Sequence, residues 1–247
     1  MKVNNNIEPI LKIQDLRKNF GDNHVLKGFN MELFDGENLV VMGKSGSGKS
    51  VMIKCIVGLI QPDKGSIEIM DKDIMKLEHN ELDFLRTEIG FLFQGSALYD
   101  SMTVRENLEF PLRIHNEKLK KKDKLVLDAL ESVGLAHAID LMPNELSGGM
   151  KRRIALARAI ILHPKIIIYD EPTSGLDPIT AKEIIELMRE IQVKYGSSSL
   201  IITHDVDCAR VIANRMILLI DGINYAEGTF KELSSLKEKK VQAFFKK

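Results

Sequence analysis

The sequence lacks tryptophan, has only two cysteines, and carries no net charge. Cys55 and Cys208 both lie in apolar segments, and two cysteines in 247 residues do not make a disulfide framework, so we expect a reducing compartment. Basic and acidic residues balance at 35 each. No overall field therefore draws the chain toward nucleic acid or anionic lipid, and we expect no nucleic-acid partner.

Long hydrophobic runs are also absent. No uninterrupted apolar stretch approaches the roughly 20 residues needed to cross a bilayer, and residues 1–10 lack the apolar segment of a signal peptide. We expect any membrane attachment to come through a partner. A hydrophobic content of 44% still allows one large domain, or a core with an added lobe.

Turn residues divide the first part of the chain into short apolar segments. Leu11–Leu33 is typical of antiparallel strands, and Leu39–Met42 of a short buried strand. An apolar-periodic helix is predicted from Lys49 to Ile60. The basic run Lys118–Lys124 resembles a linker.

After a short strand at Glu88–Gln94, residues 97–162 read as mainly helical, with Gly134 as a helix C-cap. The rest of the chain alternates strands and helices, which predicts a parallel, covered sheet in an α/β fold. The predicted strands are Ile166–Tyr169, Leu200–Thr203 and Met216–Ile220, and the helices between them are Pro178–Tyr195 and Val206–Ala213. Asp177 is the expected N-cap of the first helix, and Asp221-Gly222 a hairpin turn.

A glycine-rich loop follows the buried strand and precedes the first helix. Its residues are Gly43, Lys44, Ser45, Gly46, Ser47, Gly48, Lys49 and Ser50. Backbone N–H groups of such a loop surround an anion, Lys49 reaches the outer phosphates, and Ser50 offers a hydroxyl to magnesium. The alternative is a flexible surface turn, which the strand and helix on either side disfavour.

Two acidic residues, Asp170 and Glu171, end the buried strand that begins at Ile166. Successive side chains diverge at a strand end, so Asp170 could hold magnesium while Glu171 polarises an attacking water. The alternative is that both cap the next helix.

Leu146–Met150 forms a second serine- and glycine-rich helix start, at Ser147, Gly148 and Gly149. It is suited to receive an anion, although one nucleotide does not obviously need both sites. An ordinary N-cap at Ser147 would produce the same pattern.

The order and spacing of these motifs, with Gln94, Ser174–Asp177 and His204, resemble the ABC ATPase family from about Leu11 onward. The resemblance implies a P-loop NTPase core with an N-terminal antiparallel β-subdomain and an inserted helical lobe. It implies a single domain in which 1–94 and 164–228 form the core, 95–163 the lobe and 229–247 a tail.

The same resemblance implies ATP and Mg²⁺ as cofactors and a head-to-tail homodimer that sandwiches two ATP molecules. Site roles follow for Phe20 (adenine stacking), Glu171, His204 and Gln94 (catalysis), Ser50, Gln94 and Asp170 (metal), and Ser147, Gly148, Gly149 and Asp177 (ATP of the other subunit).

Local sequence resembles the ATPases of MCE-linked phospholipid transporters of the Mla type. The matching segments are Leu141–Arg153 with Met150, Phe93–Tyr99 and Asp177–Thr180, while Lys44 and Val51 depart from the usual loop. This implies phospholipid transport between bacterial membranes with an integral membrane permease and an MCE protein, at the cytoplasmic face of the inner membrane. The alternatives are another ABC importer, a cell-division ABC complex, and a non-transport ABC protein.

A group of basic residues and a partly apolar terminal segment each allow two interpretations. The basic residues Lys151, Arg152, Arg153 and Arg158 are typical of a solvated helix face or of salt bridges. In the terminal segment Val241–Phe245, apolar residues stand between lysines, which fits either a docking tail or frayed packing.

Overall fold

The computed structural model describes residues 8–113 and 119–245. Its strands are β1 (Leu11–Phe20), β2 (Asn23–Leu33), β3 (Asn38–Met42), β4 (Lys64–Ile69), β5 (Lys72–Asp73), β6 (Ile89–Leu92), β7 (Ile166–Asp170), β8 (Ser198–Thr203), β9 (Arg215–Ile220) and β10 (Ile223–Gly228). Its helices are α1 (Lys49–Ile56), α2 (His79–Thr87), α3 (Val104–Leu112), α4 (Leu119–Ser132), α5 (Gly148–Ile160), α6 (Pro178–Tyr195), α7 (Val206–Ile212), α8 (Phe230–Ser235) and α9 (Lys239–Phe245).

The described chain divides into two compact units. The first contains residues 8–84 and 198–245, and the second contains residues 85–113 and 119–197. The second unit therefore holds β6, β7 and α6 in addition to the helices predicted for the lobe.

An antiparallel sheet in the first unit has the strand order β2-β1-β4-β5. The register of β1 and β2 runs from Leu11 opposite Leu33 to Phe20 opposite Asn23, so the predicted antiparallel pair is confirmed. The inward residues Leu11, Leu16 and Leu33 are fully buried. One face of this sheet thus contributes to the core, as alternating strands do.

A second sheet region in the first unit has the order β10-β9-β3-β8. β3 lies parallel to β8 and to β9, and every residue of β3 and β8 is buried. Met42 pairs with Thr203, so the residues that follow, Gly43 and His204, leave the sheet side by side. The hairpin from β9 to β10 turns at Asp221 and Gly222, both with positive φ, as predicted.

In the second unit, β6 and β7 pair in parallel with Leu92 opposite Tyr169. Helices α3, α4 and α6 pack against α5, which also lies on β6. A Cβ on Gly90 of β6 would collide with the carbonyl oxygen of Ala159, so this glycine permits the close approach of α5. Gly134, at φ 70°, follows α4 as the predicted C-terminal glycine.

Two local predictions were wrong. α1 ends at Ile56 and not at Ile60, because Gly58 adopts φ 69° and the N–H groups of Leu59 and Ile60 turn back to the carbonyl oxygen of Lys54. The run predicted as a linker belongs to α4 from residue 119 onward, while Lys118 lies outside the described residues.

Within the described ranges, no helix combines the length and apolar character that a membrane crossing requires.

Candidate functional site

The glycine-rich loop connects β3 to α1 in the first unit. Gly46 and Gly48 adopt φ values of 79° and 104°, which side chains other than glycine rarely tolerate. The ammonium group of Lys49 folds back over the loop and donates to the carbonyl oxygens of Gly43 (2.6 Å) and Lys44 (3.1 Å). The ammonium group of Lys49 is therefore held against the backbone of a loop of the kind that receives anions on its N–H groups.

Tight packing around Gly43 shapes the start of this loop. A Cβ at this position would collide with Ser47 Oγ and approach the carbonyl oxygen of Leu219 to 3.0 Å. The buried Ser47 Oγ has no hydrogen-bond partner within the described part of the chain. Buried polar atoms in native proteins are normally paired, so this oxygen fits a site whose ligand supplies the partner.

His204 follows β8 and is exposed. The next residue, Asp205, caps α7 as predicted: its Oδ1 accepts from the N–H groups of Asp207 (2.9 Å) and Cys208 (3.2 Å). Because Gly43 and His204 leave adjacent parallel strands, the structure brings His204 to the same sheet edge as the glycine-rich loop.

Phe20 ends β1 and is 49% exposed. The ammonium group of Lys18 lies 5.5 Å from the centre of its ring and also pairs with Asp63 at 2.8 Å. An exposed aromatic face beside a cation could accept a stacked base.

A cavity of about 470 Å³ lies beside the glycine-rich loop in the first unit. Its wall combines the start of β2, the loop, the β9–β10 turn and α9. The lining residues are Asn23, His24, Val25, Lys27, Lys44, Ser45, Gly46, Ser47, Leu219, Ile220, Asp221, Gly222, Lys240, Ala243 and Phe244. Phe20 is not among them.

Asp170 and Glu171 close β7 in the second unit. Asp170 is the last strand residue and partly exposed, whereas Glu171 is 8% exposed. Glu171 adopts φ 50°, a left-handed conformation, and its carbonyl oxygen accepts from the N–H of Ser174 at 3.1 Å. Strained backbone at a buried acid is common at functional sites.

Gln94 is exposed two residues after β6. The loop that carries it is held by α5, because Arg152 Nη1 donates to the carbonyl oxygen of Phe93 at 3.0 Å. Arg152 Nη2 also donates to the carbonyl oxygen of Ser174 at 3.1 Å. One guanidinium group thus fixes the segment before Gln94 and the segment after Glu171.

The second helix start, at the beginning of α5, is an N-cap. Ser147 Oγ accepts from the N–H of Met150 at 3.2 Å, while Ser147 and Gly148 are exposed. A Cβ on Gly149 would approach Thr180 Cγ2 to 2.9 Å. Thr180 in turn donates its hydroxyl to Asp177 Oδ2 at 2.5 Å, and Asp177 caps α6 as predicted. The structure therefore brings the start of α5 together with Asp177.

Sequence reasoning missed the role of two arginines. Arg152 is 4% exposed, and Arg158 donates to the carbonyl oxygens of Ala97 (2.9 Å) and Ser96 (3.2 Å). Among the residues that the structure describes, Arg153 is the one of these four basic residues that makes a predicted salt bridge, to Glu183 at 2.8 Å. Burial lowers the pKa values of Arg152 and Arg158. The sequence could have indicated that Arg152 is buried, because helical spacing places it on the same face of α5 as Ala155, Leu156 and Ala159.

Comparison with known proteins assigns the chain to a family. A model described as ABC transporter matches residues 26–174. The methionine import ATP-binding protein MetN of Clostridium tetani is 38% identical over 225 residues, which cover 91% of this chain and 70% of the relative. The arginine transport ATP-binding protein ArtM of Bacillus subtilis is 38% identical over 240 residues, 96% of this chain and 99% of the relative. The chain spans 60% of the length of some other methionine import relatives.

Among solved structures, the dimeric post-hydrolysis state of the ATP-binding cassette MJ0796 with ADP and Pi is 33% identical, with a TM-score of 0.80. The match covers 89% of this chain and 98% of that chain. The antiparallel subdomain and the helical segment predicted from sequence are thereby confirmed as features of this fold. The chain belongs to the ABC transporter family and is an ABC-type ATPase.

Proposed function

We propose that the chain binds ATP at residues 43–50 and hydrolyses it to drive a membrane transporter. The observation that carries this proposal is the position of Lys49, whose ammonium group lies across the glycine-rich loop on the carbonyl oxygens of Gly43 and Lys44. A cation held there neutralises phosphate charge as the γ-phosphoryl group is transferred.

Roles for the remaining polar residues follow from their chemistry. Glu171 orients the attacking water, and Gln94 and His204 contact the water and the γ-phosphate. The hydroxyl of Ser50, the carboxylate of Asp170 and the amide oxygen of Gln94 are the hard oxygen donors that Mg²⁺ prefers. No group of three or more His, Cys, Asp or Glu side chains suited to a metal occurs among the described residues, which fits an ion held largely by phosphate and water. Bound Mg²⁺ would neutralise charge on the phosphate oxygens.

The working form is a homodimer in which Ser147, Gly148, Gly149 and Asp177 contact the ATP of the other subunit. Two observations support it: the exposed N-cap at the start of α5, and the dimeric state of the MJ0796 cassette. ATP would favour this dimer because its phosphates meet both subunits only when they are paired.

ATP turnover and dimer formation test these roles together. We expect Lys49→Ala to lower turnover and nucleotide affinity by at least about 100-fold, and Glu171→Gln to lower turnover by about 100-fold with binding retained. ATP should convert Glu171→Gln from monomer to dimer in light scattering, while Lys49→Ala stays monomeric. Unchanged turnover in Glu171→Gln would reject its catalytic role.

An integral membrane permease is the proposed partner, which places the chain peripherally at the cytoplasmic face of the inner membrane. For the cargo, the relation to a methionine import protein and to an arginine transport protein favours an importer of small solutes. Phospholipid transport with an MCE protein is the second candidate. It is favoured only by the segments Leu141–Arg153, Phe93–Tyr99 and Asp177–Thr180, and the relatives named above do not support it.

Purification of the chain from membranes with its native partners separates the candidates. A permease recovered with a solute-binding protein supports import, whereas a permease with an MCE protein and bound phospholipid supports lipid transport. Recovery of ribosomes or nucleic acid without a permease would contradict both.

A further inference from the structure

The end of the chain forms part of the cavity beside the glycine-rich loop. Lys240, Ala243 and Phe244 of α9 line this cavity together with residues 44–47. Spacings of three and four residues place these α9 side chains on one face of the helix. The tail therefore reaches the region where the phosphates of a nucleotide would bind.

α9 is docked by several kinds of contact. Val241 is fully buried, and the side-chain amide of Gln242 donates to the carbonyl oxygens of Ser234 (3.1 Å) and Leu236 (2.5 Å). The ring of Phe245 meets Phe230 edge to face at 5.4 Å between centroids. These contacts hold the face that carries Lys240 and Phe244 toward the cavity.

The cavity carries an excess of positive charge. Lys27, Lys44 and Lys240 line it, and Asp221, which pairs with Lys240 at 2.9 Å, carries the one carboxylate among the described residues of the lining. The hydrogen bond from Lys240 and the charges of Lys240 and Lys27 lower the pKa of Asp221. A polyanion suits such a lining, and removal of Lys240 would leave the Asp221 charge uncompensated.

The lining also has an apolar part. Phe244 and Val25 offer a flat ring and an aliphatic side chain within a volume of about 470 Å³. Pockets for small molecules have this size, with apolar walls and a few convergent polar groups. A cationic end beside a flat apolar surface matches the triphosphate and nucleoside parts of one nucleotide.

We propose that α9 is part of the nucleotide site, with Lys240 contacting the phosphates and Phe244 the nucleoside of ATP bound at residues 43–50. This inference rests on the proposed binding of ATP by the glycine-rich loop. Docking of α9 then raises nucleotide affinity, so the tail is a binding element of the ATPase.

Titration of the full chain with a fluorescent ATP analogue tests the proposal. We expect Lys240→Ala and Phe244→Ala each to weaken binding about fivefold to tenfold, as loss of one charged or aromatic contact does. Lys239→Ala is the matched control, because this neighbouring lysine on the same helix does not line the cavity, and its affinity should equal that of the unaltered chain.

Competition by inorganic tripolyphosphate distinguishes the two contacts. Lys240→Ala should weaken tripolyphosphate binding, whereas Phe244→Ala should leave it unchanged. An equal loss of both ligands in Phe244→Ala would overturn the nucleoside contact, since the substitution would then have disturbed the loop. Tighter ATP binding in either variant would also overturn the proposal, because α9 would then obstruct the cavity.

Lys49→Ala separates this inference from the proposed function. If the unaltered chain binds the analogue, Lys49→Ala does not, and both α9 variants bind normally, only the role of α9 is rejected. If the unaltered chain binds no nucleotide, the proposed function is rejected and the inference with it.

Discussion

Arg152 Nη1 donates a hydrogen bond of 3.0 Å to the carbonyl oxygen of Phe93, the residue before Gln94. The same side chain reaches the carbonyl oxygen of Ser174 and is 4% exposed. A buried guanidinium group that satisfies two loop carbonyls stabilises both loops at the cost of its own desolvation.

Replacement of Arg152 by methionine should destabilise the protein by about 2–3 kcal/mol, because two carbonyl oxygens lose a charged donor. The free energy of unfolding in urea measures this loss. Lys151→Met, at the neighbouring and partly exposed position, should change that free energy by less than about 0.5 kcal/mol. Equal effects of both substitutions would contradict the assigned contacts.

Because Gly149 lies close to Thr180, substitutions at these two positions should have non-additive effects on the free energy of unfolding. Gly149→Ala should cost about 1–2 kcal/mol, because the new Cβ would lie 2.9 Å from Thr180 Cγ2. Thr180→Ser removes that methyl group and keeps a hydroxyl for Asp177, so the double variant should recover most of the loss.

Gly148→Ala is the control for this pair, since a Cβ at Gly148 meets no atom within 4 Å. Its free energy of unfolding should stay within about 0.5 kcal/mol of the unaltered chain. Additive losses in Gly149→Ala and Thr180→Ser would contradict the predicted contact.

The carboxylate of Asp177, at the start of α6, should make a pH-dependent contribution to the free energy of unfolding. The pKa of its carboxyl is lowered from 3.8 because the Thr180 hydroxyl and the N–H groups of Thr180 and Ile179 donate to it. A carboxyl whose pKa is lower in the folded state stabilises the protein above its unfolded pKa, and this stabilisation is lost as pH falls through the folded pKa.

Asp177→Ala should therefore have a lower urea midpoint than the unaltered chain at neutral pH. The difference should shrink as pH falls below the ordinary value of 3.8. Glu190→Ala, at an exposed position on the same helix, serves as the control and should leave the urea midpoint at neutral pH nearly unchanged. A difference that stays constant into acid would exclude the carboxylate cap as its cause.

Cys55 should resist thiol reagents in the folded protein. Its side chain is fully buried, and burial raises the pKa of the thiol to about 11. At about pH 8 only roughly one thousandth would be thiolate, the reactive form. In a Cys208→Ala background, modification measured by mass spectrometry should be slow without urea and rapid in urea. Rapid labelling of the folded protein would contradict this burial.

The parts of the fold that were predictable have strong local signals. β3 consists of buried residues on both faces, and α6 starts at Asp177-Pro178 and ends before Gly196 at φ 62°. No strand or helix was predicted for residues 61–87. β4 has only Ile67 and Ile69 buried, and β5 has two residues. β4 is therefore a strand because it pairs with β1, and β5 because it pairs with β4, rather than through a local sequence pattern.

The candidate site was predictable where a motif occupies consecutive residues. The glycine-rich loop and Asp170-Glu171 are of this kind. Arg152 and Arg158 were missed because a charged residue is usually solvated, and their partners are backbone carbonyls 59 and 61 residues away in sequence. The sequence left two interpretations of the tail open, and it did not predict the burial of Val241 or the contacts that Gln242 makes with this chain.

The two arginines of α5 bind this helix to one neighbouring segment of backbone at two positions along its axis. Arg152 and Arg158 are six residues apart, about 9 Å along the axis, and both bind the backbone of residues 93–97. Because the helix is bonded to this segment at two separate points, a change in the tilt of α5 is transmitted to the segment as well as a translation. Any force that swings the Ser147 end of α5 must therefore rotate the Gln94 loop with it.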